Sequence, residues 1–431
     1  MYLTRQTCRV LFSLSFDLLI FFRFAGRIFG ICIVRSGFVQ RGGYISGFHG
    51  NLGAFSGCRS TFHRHYNFTG RIFSLGSTVV VVAIEAVSSR FAVRITITVY
   101  YFTVIITAAD TIGDGRRLVV VQLFLNHSER IDMDARDNNG GTAFMEACYN
   151  GHNDVVQLLL DHSDPNIKLN AKDEDGMTAF MCACQEGHTD VVQLLLDHSE
   201  KIELNARNND GRTAFMVACY NGHKDVVQLL LDNSERIEMN ARSNNGRTAF
   251  MIACIYGHKD VVQMLLDHSN SSIDLNARNN SGSTAFLLVC YNGHKDVVKL
   301  LLDHSGIEYN ARNDFGQTAF IMACYKGHKE VVKLLLEHSN KIELNLRDDF
   351  GFTAFMVACY HGHKDVVQLF LDQPNGNIDL NTKDNLGISA FMSACLREHK
   401  DVVILLLEYS NIDISGYDGL PQEMRDFIEL H

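Results

Sequence analysis

The phrase G-x-[TS]-A-F returns eight times in this chain, at Thr142, Thr178, Thr213, Thr248, Thr284, Thr318, Thr353 and Ser389. Successive copies lie 36, 35, 35, 36, 34, 35 and 36 residues apart. Each is followed at fixed offsets by a small residue plus Cys, then usually Gly-His, then Val-Val and a Leu-rich run. A fixed period of this length means stacked supersecondary units, not one globular core. It predicts a solenoid, which offers surface in place of an enclosed pocket, so binding is the default expectation.

Residues 211–245 show how one unit is built. Gly211 ends a turn, and Thr213 stands in N-cap position for a first helix, Ala214 to Asn221. Phe215, Met216, Ala218 and Cys219 have the spacing of a buried face, and Gly222 closes the helix with a left-handed residue. A second helix is predicted from about His223 to Asp232, apolar on more than one side at Val226, Val227, Leu229, Leu230 and Leu231. The polar stretch Asn233 to Asn245 brackets the alternating piece Ile237-Glu238-Met239-Asn240, a predicted hairpin arm.

Two helices and a hairpin loop in this order resemble the ankyrin repeat, and the resemblance covers about residues 116–413. It implies an all-α class, an α-solenoid of helix-turn-helix units joined by β-hairpin loops. The family's T-P-L-H is T-A-F-M here, as in Thr213-Ala214-Phe215-Met216. Ala is the best helix former, so the helix survives losing Pro; the family's turn-tying His becomes Met, which can only pack. The repeats are also longer, 34–36 residues against about 33. The surplus lies between Asp-His-Ser and Leu-Asn, as in the stretch Asp161 to Ile167. The resemblance further implies that the hairpin residues Asn170, Asn205, Asn240, Asn276, Asn310, Asn345 and Asn381 stand where an asparaginyl hydroxylase can act. Side-chain bonding across the hairpin accounts for them equally well.

Both ends of the array depart from the repeat. Leu118 to Asn139 matches a second helix and hairpin, which makes 116–139 a half repeat whose first helix, near Thr107-Ala108, is degraded. Full repeats run from 140. Residues 414–431 hold Gly419 to Leu430, read as a capping helix with Pro421 near its start and a charged outer face.

Residues 1–115 are Lys-free, basic and without a sustained period. Up to residue 117 the chain has 13 Arg and four acids, a formal +9, whereas the remainder carries −19. The Arg5 and Arg9 preceding Val10 to Phe22 imitate a signal peptide, but Asp17 breaks the apolar run; poverty in acids imitates a mitochondrial presequence. Ile95 to Ala109 is uncharged yet shorter than the roughly 18 residues a membrane span needs. A disordered or poorly specified segment, or non-native sequence fused by an erroneous start, is the preferred reading; targeting and a membrane anchor stay open. The acidic array repels phosphate backbones, so nucleic acid is not the expected partner.

Of the 12 Cys, eight occupy one equivalent site per repeat: Cys148, Cys184, Cys219, Cys254, Cys290, Cys324, Cys359 and Cys395. Neighbouring helices stack about 10 Å apart, too far for a disulfide, which needs Cα atoms within about 7 Å. They read as buried thiols in a reducing compartment, and the cytoplasm is the expected location. Cys182, on another face, is expected to be exposed. Two His ladders, one in Gly-His and one at helix ends, are spread too widely for a metal site, whose ligands converge to about 2.0–2.1 Å. No phosphate loop, H-E-x-x-H or nucleophile elbow appears, so neither enzyme activity nor a cofactor is expected.

The informative residues are those that stacking does not require. Tyr149, Tyr220, Tyr291, Tyr325 and Tyr360 share the first of the two positions before Gly-His, and Tyr256 holds the second. Tyr is enriched at interface hot spots, although each ring could instead stiffen the stack. Late hairpin tips gain apolar side chains: Phe315, Phe350 with Phe352, and Leu386 with Ile388. The expectation is a monomeric, non-catalytic scaffold or adaptor that binds a protein partner through its concave face and tips. The alternative is a membrane-tethered or organelle-targeted adaptor localised by its N-terminal segment.

Overall fold

Each T-A-F step starts a helix for a local reason. Thr213 lies in extended backbone and its hydroxyl accepts the Met216 N–H at 3.4 Å, satisfying a donor that helix geometry leaves orphaned. The first helix of this repeat spans Ala214–Asn221 and ends at Gly222, whose φ of 76° lets its N–H return to the Ala218 carbonyl. The second helix, Lys224–Asp232, buries Val226, Val227, Leu230 and Leu231 and leaves Asp225 and Gln228 in solvent.

In this computed structural model the described residues are 74–75, 78–79, 118, 121–122, 125–126 and 133–431, the last stretch interrupted at 163–166, 269–272, 374–377 and 417–418. The sequence features near Arg5, Val10 to Phe22, Thr107 and Ile95 to Ala109 lie outside them, as does most of the loop insertion after Ser163. The chain divides into two compact units, Met1–Lys168 and Leu169–His431.

In the first unit, Ser74–Leu75 pairs antiparallel with Thr78–Val79. Val121, Leu125 and Met133 are buried, and the helices Ala143–Tyr149 and Asn153–Asp161 form one pair. The second unit holds seven such pairs, the first helices beginning at Ala179, Ala214, Ala249, Ala285, Ala319, Ala354 and Ala390. It closes with a helix over Gln422–Leu430, starting three residues later than the sequence suggests, after Pro421. That helix buries Met424 and Ile428 and leaves Glu423, Asp426 and Glu429 exposed. The described architecture is an all-α repeat solenoid.

One Phe per repeat fills the core of the second unit. Phe180, Phe215, Phe250, Phe286, Phe320, Phe355 and Phe391 are all at most 2% exposed. Each buried Phe is worth about 2–3 kcal/mol of apolar transfer. Met216 is likewise buried, so the residue replacing the family's turn-tying His does pack.

The loops differ from the hairpin arms expected. No strand ladder forms within a loop among the described residues of this unit, apart from the isolated bridge of Lys383 with Ser389. The physical reason is that Ile237 and Met239 turn into the stack, while the tips close on an Asn or Asp oxygen, or on the Ser243 hydroxyl in one repeat. Asn208 Oδ1, for example, accepts the N–H groups of Asp210 and Arg212. The tips then pair with one another across repeats: Asn209 N–H donates to Asp175 O at 3.0 Å and Asn244 N–H to Asp210 O at 2.9 Å.

Three side-chain series join successive repeats. The Gly-His imidazoles reach back to the preceding repeat: His258 Nε2 donates to Tyr220 O at 2.7 Å and His294 Nε2 to Ile255 O at 2.7 Å. A carbonyl only accepts, so Nε2 carries the proton. The loop Asn residues reach forward; Asn205 Nδ2 donates to Arg236 O at 2.8 Å while its Oδ1 accepts Glu238 N–H at 2.9 Å. These bonds cross to the next repeat and not across the residue's own hairpin. The guanidinium groups of Arg207, Arg242, Arg278, Arg312 and Arg347 each donate to a backbone carbonyl one repeat further on.

The His ring explains the glycine before it. A Cβ at Gly222 would stand 2.5 Å from His258 Nδ1, so this position needs both a positive φ and an empty flank. The eighth member of the series reads Glu398-His399, and Glu398 holds φ 60° where no further imidazole of the series stacks on it. Gly222→Ala should therefore cost at least about 2 kcal/mol in urea unfolding, whereas Glu398→Gly should gain about 1 kcal/mol by relieving left-handed strain. An Ala variant as stable as the parent would contradict the packing of glycine on imidazole.

Candidate partner-binding surface

Cross-repeat bonding consumes the loop Asn, Arg and His side chains, so the surface open to a partner is built from other residues. In the second unit the Tyr series stands at the C-terminal end of five of the seven first helices. The backbone carbonyl there is held by the next repeat's imidazole, as at Tyr291 and His328 (2.9 Å) and at Tyr325 and His363 (3.0 Å). The side chains are thus presented from fixed backbone.

A rule invisible in any single repeat links them. The residue at the second position of one repeat covers the Tyr ring at the first position of the repeat before. Tyr256 packs on Tyr220 with ring centroids 4.3 Å apart, and His361 meets Tyr325 edge-on at 4.5 Å. Lys326 Nζ lies 4.6 Å from the Tyr291 ring centre, and the Arg397 guanidinium 4.5 Å from that of Tyr360. Where the first position is not aromatic, at Gln185 and Ile255, the covering position is Asn221 or Asn292. This matching was legible in the sequence as a correlation between one repeat and the next. Such contacts are worth about 0.5–1 kcal/mol each at exposed sites.

Of the sequence-predicted residues, Tyr256 and Tyr325 are about 40% exposed, and Tyr220, Tyr291 and Tyr360 are half-buried. Tyr149, in the first unit, is exposed. Phe315 and Phe350 are more than half exposed at their tips. Phe352 differs from expectation: it is half-buried, edge-on to Tyr360 at 5.8 Å, because its position precedes the N-cap and faces the first helix. The structure therefore joins Tyr291, Tyr325, His361, Tyr360 and Phe352 into one strip, and sets Phe315 and Phe350 apart on the loops. An open groove of about 560 Å³ lies apart from this strip, against Tyr220, Arg212, Gln185 and Met177. His361 is held below the ordinary imidazole range by burial first, then by repulsion from His363 and Arg397.

A family model of ankyrin repeats in three copies matches overlapping stretches of the chain: 105–208, 164–242, 200–279, 234–313, 271–348, 290–384 and 338–418. No curated protein matches the sequence. Among the described residues, no helix is long and apolar enough to cross a membrane.

The thiols are placed for packing. All nine described Cys are free and buried. Cys182, expected to be exposed, is 8% exposed, because the first helix is apolar on that side too and lies covered. Burial pushes Cys184, Cys219, Cys254, Cys290, Cys324 and Cys359 well above the ordinary thiol range, and Cys395 up to about 12. The unfolded chain ionises the same thiols near pH 8.5, so unfolding releases protons and stability falls as pH rises beyond that value. A thiol reagent applied to native protein should modify these nine residues only as fast as the array opens. Rapid labelling of Cys219 or Cys254 would contradict this burial.

Proposed function

The chain belongs to the ankyrin-repeat family, whose repeats are protein-interaction modules, and on that premise we propose that it is a non-catalytic scaffold or adaptor. Its partner is a protein, held on the concave face and hairpin tips through Tyr220, Tyr256, Tyr291, Tyr325, Tyr360, Phe315, Phe350 and Phe352, and Tyr149 is the candidate of the first unit. The observation that carries this reading is the strip of partly exposed rings on backbone already fixed by His and Asn bonds. Stacking is secured elsewhere, so these rings can be spent on a partner without loosening the array. Pre-placed aromatic side chains lose little entropy on binding.

Free buried thiols favour a reducing compartment, so we place the protein in the cytoplasm as a monomer. Residues 116–413 are the proposed repeat domain, with 414–431 as its cap and 1–115 as a separate segment.

Affinity capture by the full chain, alongside a chain beginning at Arg116, identifies the partner and tests that boundary. Against the captured partner, Phe350→Ala should weaken binding about thirtyfold, a hot-spot loss of about 2 kcal/mol, with little change in Tm. Tyr325→Ala, Tyr360→Ala and Phe352→Ala should weaken binding and also lower Tm by a few degrees, since those rings touch neighbouring rings. Melting that collapses while affinity holds would assign the rings to the core and refute the proposal.

A further inference from the structure

Three of the cations at the strip's positions have no counter-charge, while a fourth, Arg212, pairs with Asp210 at 3.6 Å. Lys326, Arg397 and Arg247 have no carboxylate within ion-pair distance among the described residues. Some cations elsewhere on the array do, as Lys295 with Glu330 at 3.0 Å, Arg312 with Asp349 at 3.4 Å and Lys383 with Asp413 at 3.5 Å, while others, Lys259 and Lys364 among them, do not. From residue 118 onward the chain carries 45 acids against 26 Lys and Arg. Against that excess, what distinguishes the strip is that its own positions hold no acid. The two positions before Gly-His and the position before the N-cap confirm it. In repeats three to eight those positions hold Arg212, Arg247, Lys326 and Arg397 and no acid at all.

Two of the three cations without a carboxylate, Lys326 and Arg397, lie on aromatic faces. Lys326 Nζ is 4.6 Å from the Tyr291 ring centre and 5.6 Å from that of Tyr325, and Arg397 is 4.5 Å from that of Tyr360. A ring face holds the charge in position yet leaves its hydrogen-bond donors unused. Lys326 and Arg397 are both exposed, so those donors point to an incoming group. They stand two repeats apart, about 20 Å at a stacking distance of about 10 Å, which equals roughly six residues of extended chain.

We propose that this strip is specific for an extended acidic segment of a protein. Its carboxylates, spaced about six residues apart, pair with Lys326 and Arg397, and apolar side chains between them rest on Tyr291, Tyr325 and Tyr360. The proposal rests on the concave-face reading and adds the chemistry of the partner. Protein is favoured over nucleic acid because a continuous phosphate chain must also pass the array's surplus of carboxylates, whereas isolated acidic side chains need not.

The test is selection of a random twelve-residue peptide library on the full-length chain, followed by fluorescence anisotropy with the selected peptides. Enrichment of Asp and Glu about six residues apart around apolar residues is expected. Binding should weaken at least about tenfold in K326Q/R397Q and with a rise from 50 to 500 mM salt. The control K259Q/K364Q, on second helices, should bind like the parent. The charge-reversed K326E/R397E should select basic peptides instead, which separates lost recognition from lost folding. Selection of neutral or basic peptides by the parent chain, still abolished by Tyr325→Ala, overturns the acidic specificity and leaves the concave-face reading standing. Acidic peptides that bind K326Q/R397Q and Tyr325→Ala unchanged overturn both. An oligothymidylate that binds the strip as tightly as the selected peptides also overturns the proposal, by showing a nucleic-acid surface.

Discussion

The structure of the second unit depends on a bond between an imidazole and a carbonyl one repeat behind it. His223, His258, His294, His328, His363 and His399 each place Nε2 within 2.7–3.0 Å of the backbone oxygen at the first position before the previous Gly-His. The bond satisfies a helix-end carbonyl that would otherwise need water. It also fixes the ring against the previous glycine, which is why that glycine has no side chain. One dipeptide therefore ends a first helix, starts a second and joins two repeats. Asn and Arg bonds from the loops add further ties at each junction, each contributing about 1 kcal/mol net.

That division of labour decides what the aromatic residues are for. A repeat protein has only nearest-neighbour terms with which to hold its units in register. Here polar side chains bonded to backbone supply much of that term, and the Phe and Leu core supplies the rest. The Tyr rings then sit at the edge of the junction, each of Tyr220, Tyr291, Tyr325 and Tyr360 touched by a residue of the next repeat and still partly exposed. Their contacts with Lys326, His361 and Arg397 are weak individually, but they settle the orientation of each ring before any partner arrives.

Much of the fold was legible because the period repeats the same local chemistry eight times. Thr213 as N-cap, Gly222 as left-handed terminator and the first-helix limits Ala214–Asn221 all follow from short-range rules. What lay beyond sequence reasoning were the contacts one repeat apart. The loop Asn residues could be read as bonding within a hairpin because nothing in a single loop says that Asn205 meets Arg236 and Glu238. Cys182 was misplaced for a related reason: a helix covered on most of its surface leaves no exposed side for a residue out of phase with Cys184. The strip's signal was present in the sequence, in the matching of Tyr220 with Tyr256 and Tyr360 with Arg397. It appears only when positions are compared between neighbouring repeats.

The most direct test of this account is urea unfolding of His258→Ala in the full chain, followed by circular dichroism. His258 ties the junction between the repeats of Tyr220 and Tyr256, and its removal orphans a carbonyl while leaving the apolar core intact. The account predicts a loss of at least about 2 kcal/mol. It also predicts a broadened or split transition, as the blocks on either side of a weakened junction unfold separately. An unchanged midpoint and slope would show that the core alone holds the repeats together, and the imidazole bond would lose its place at the centre of the fold.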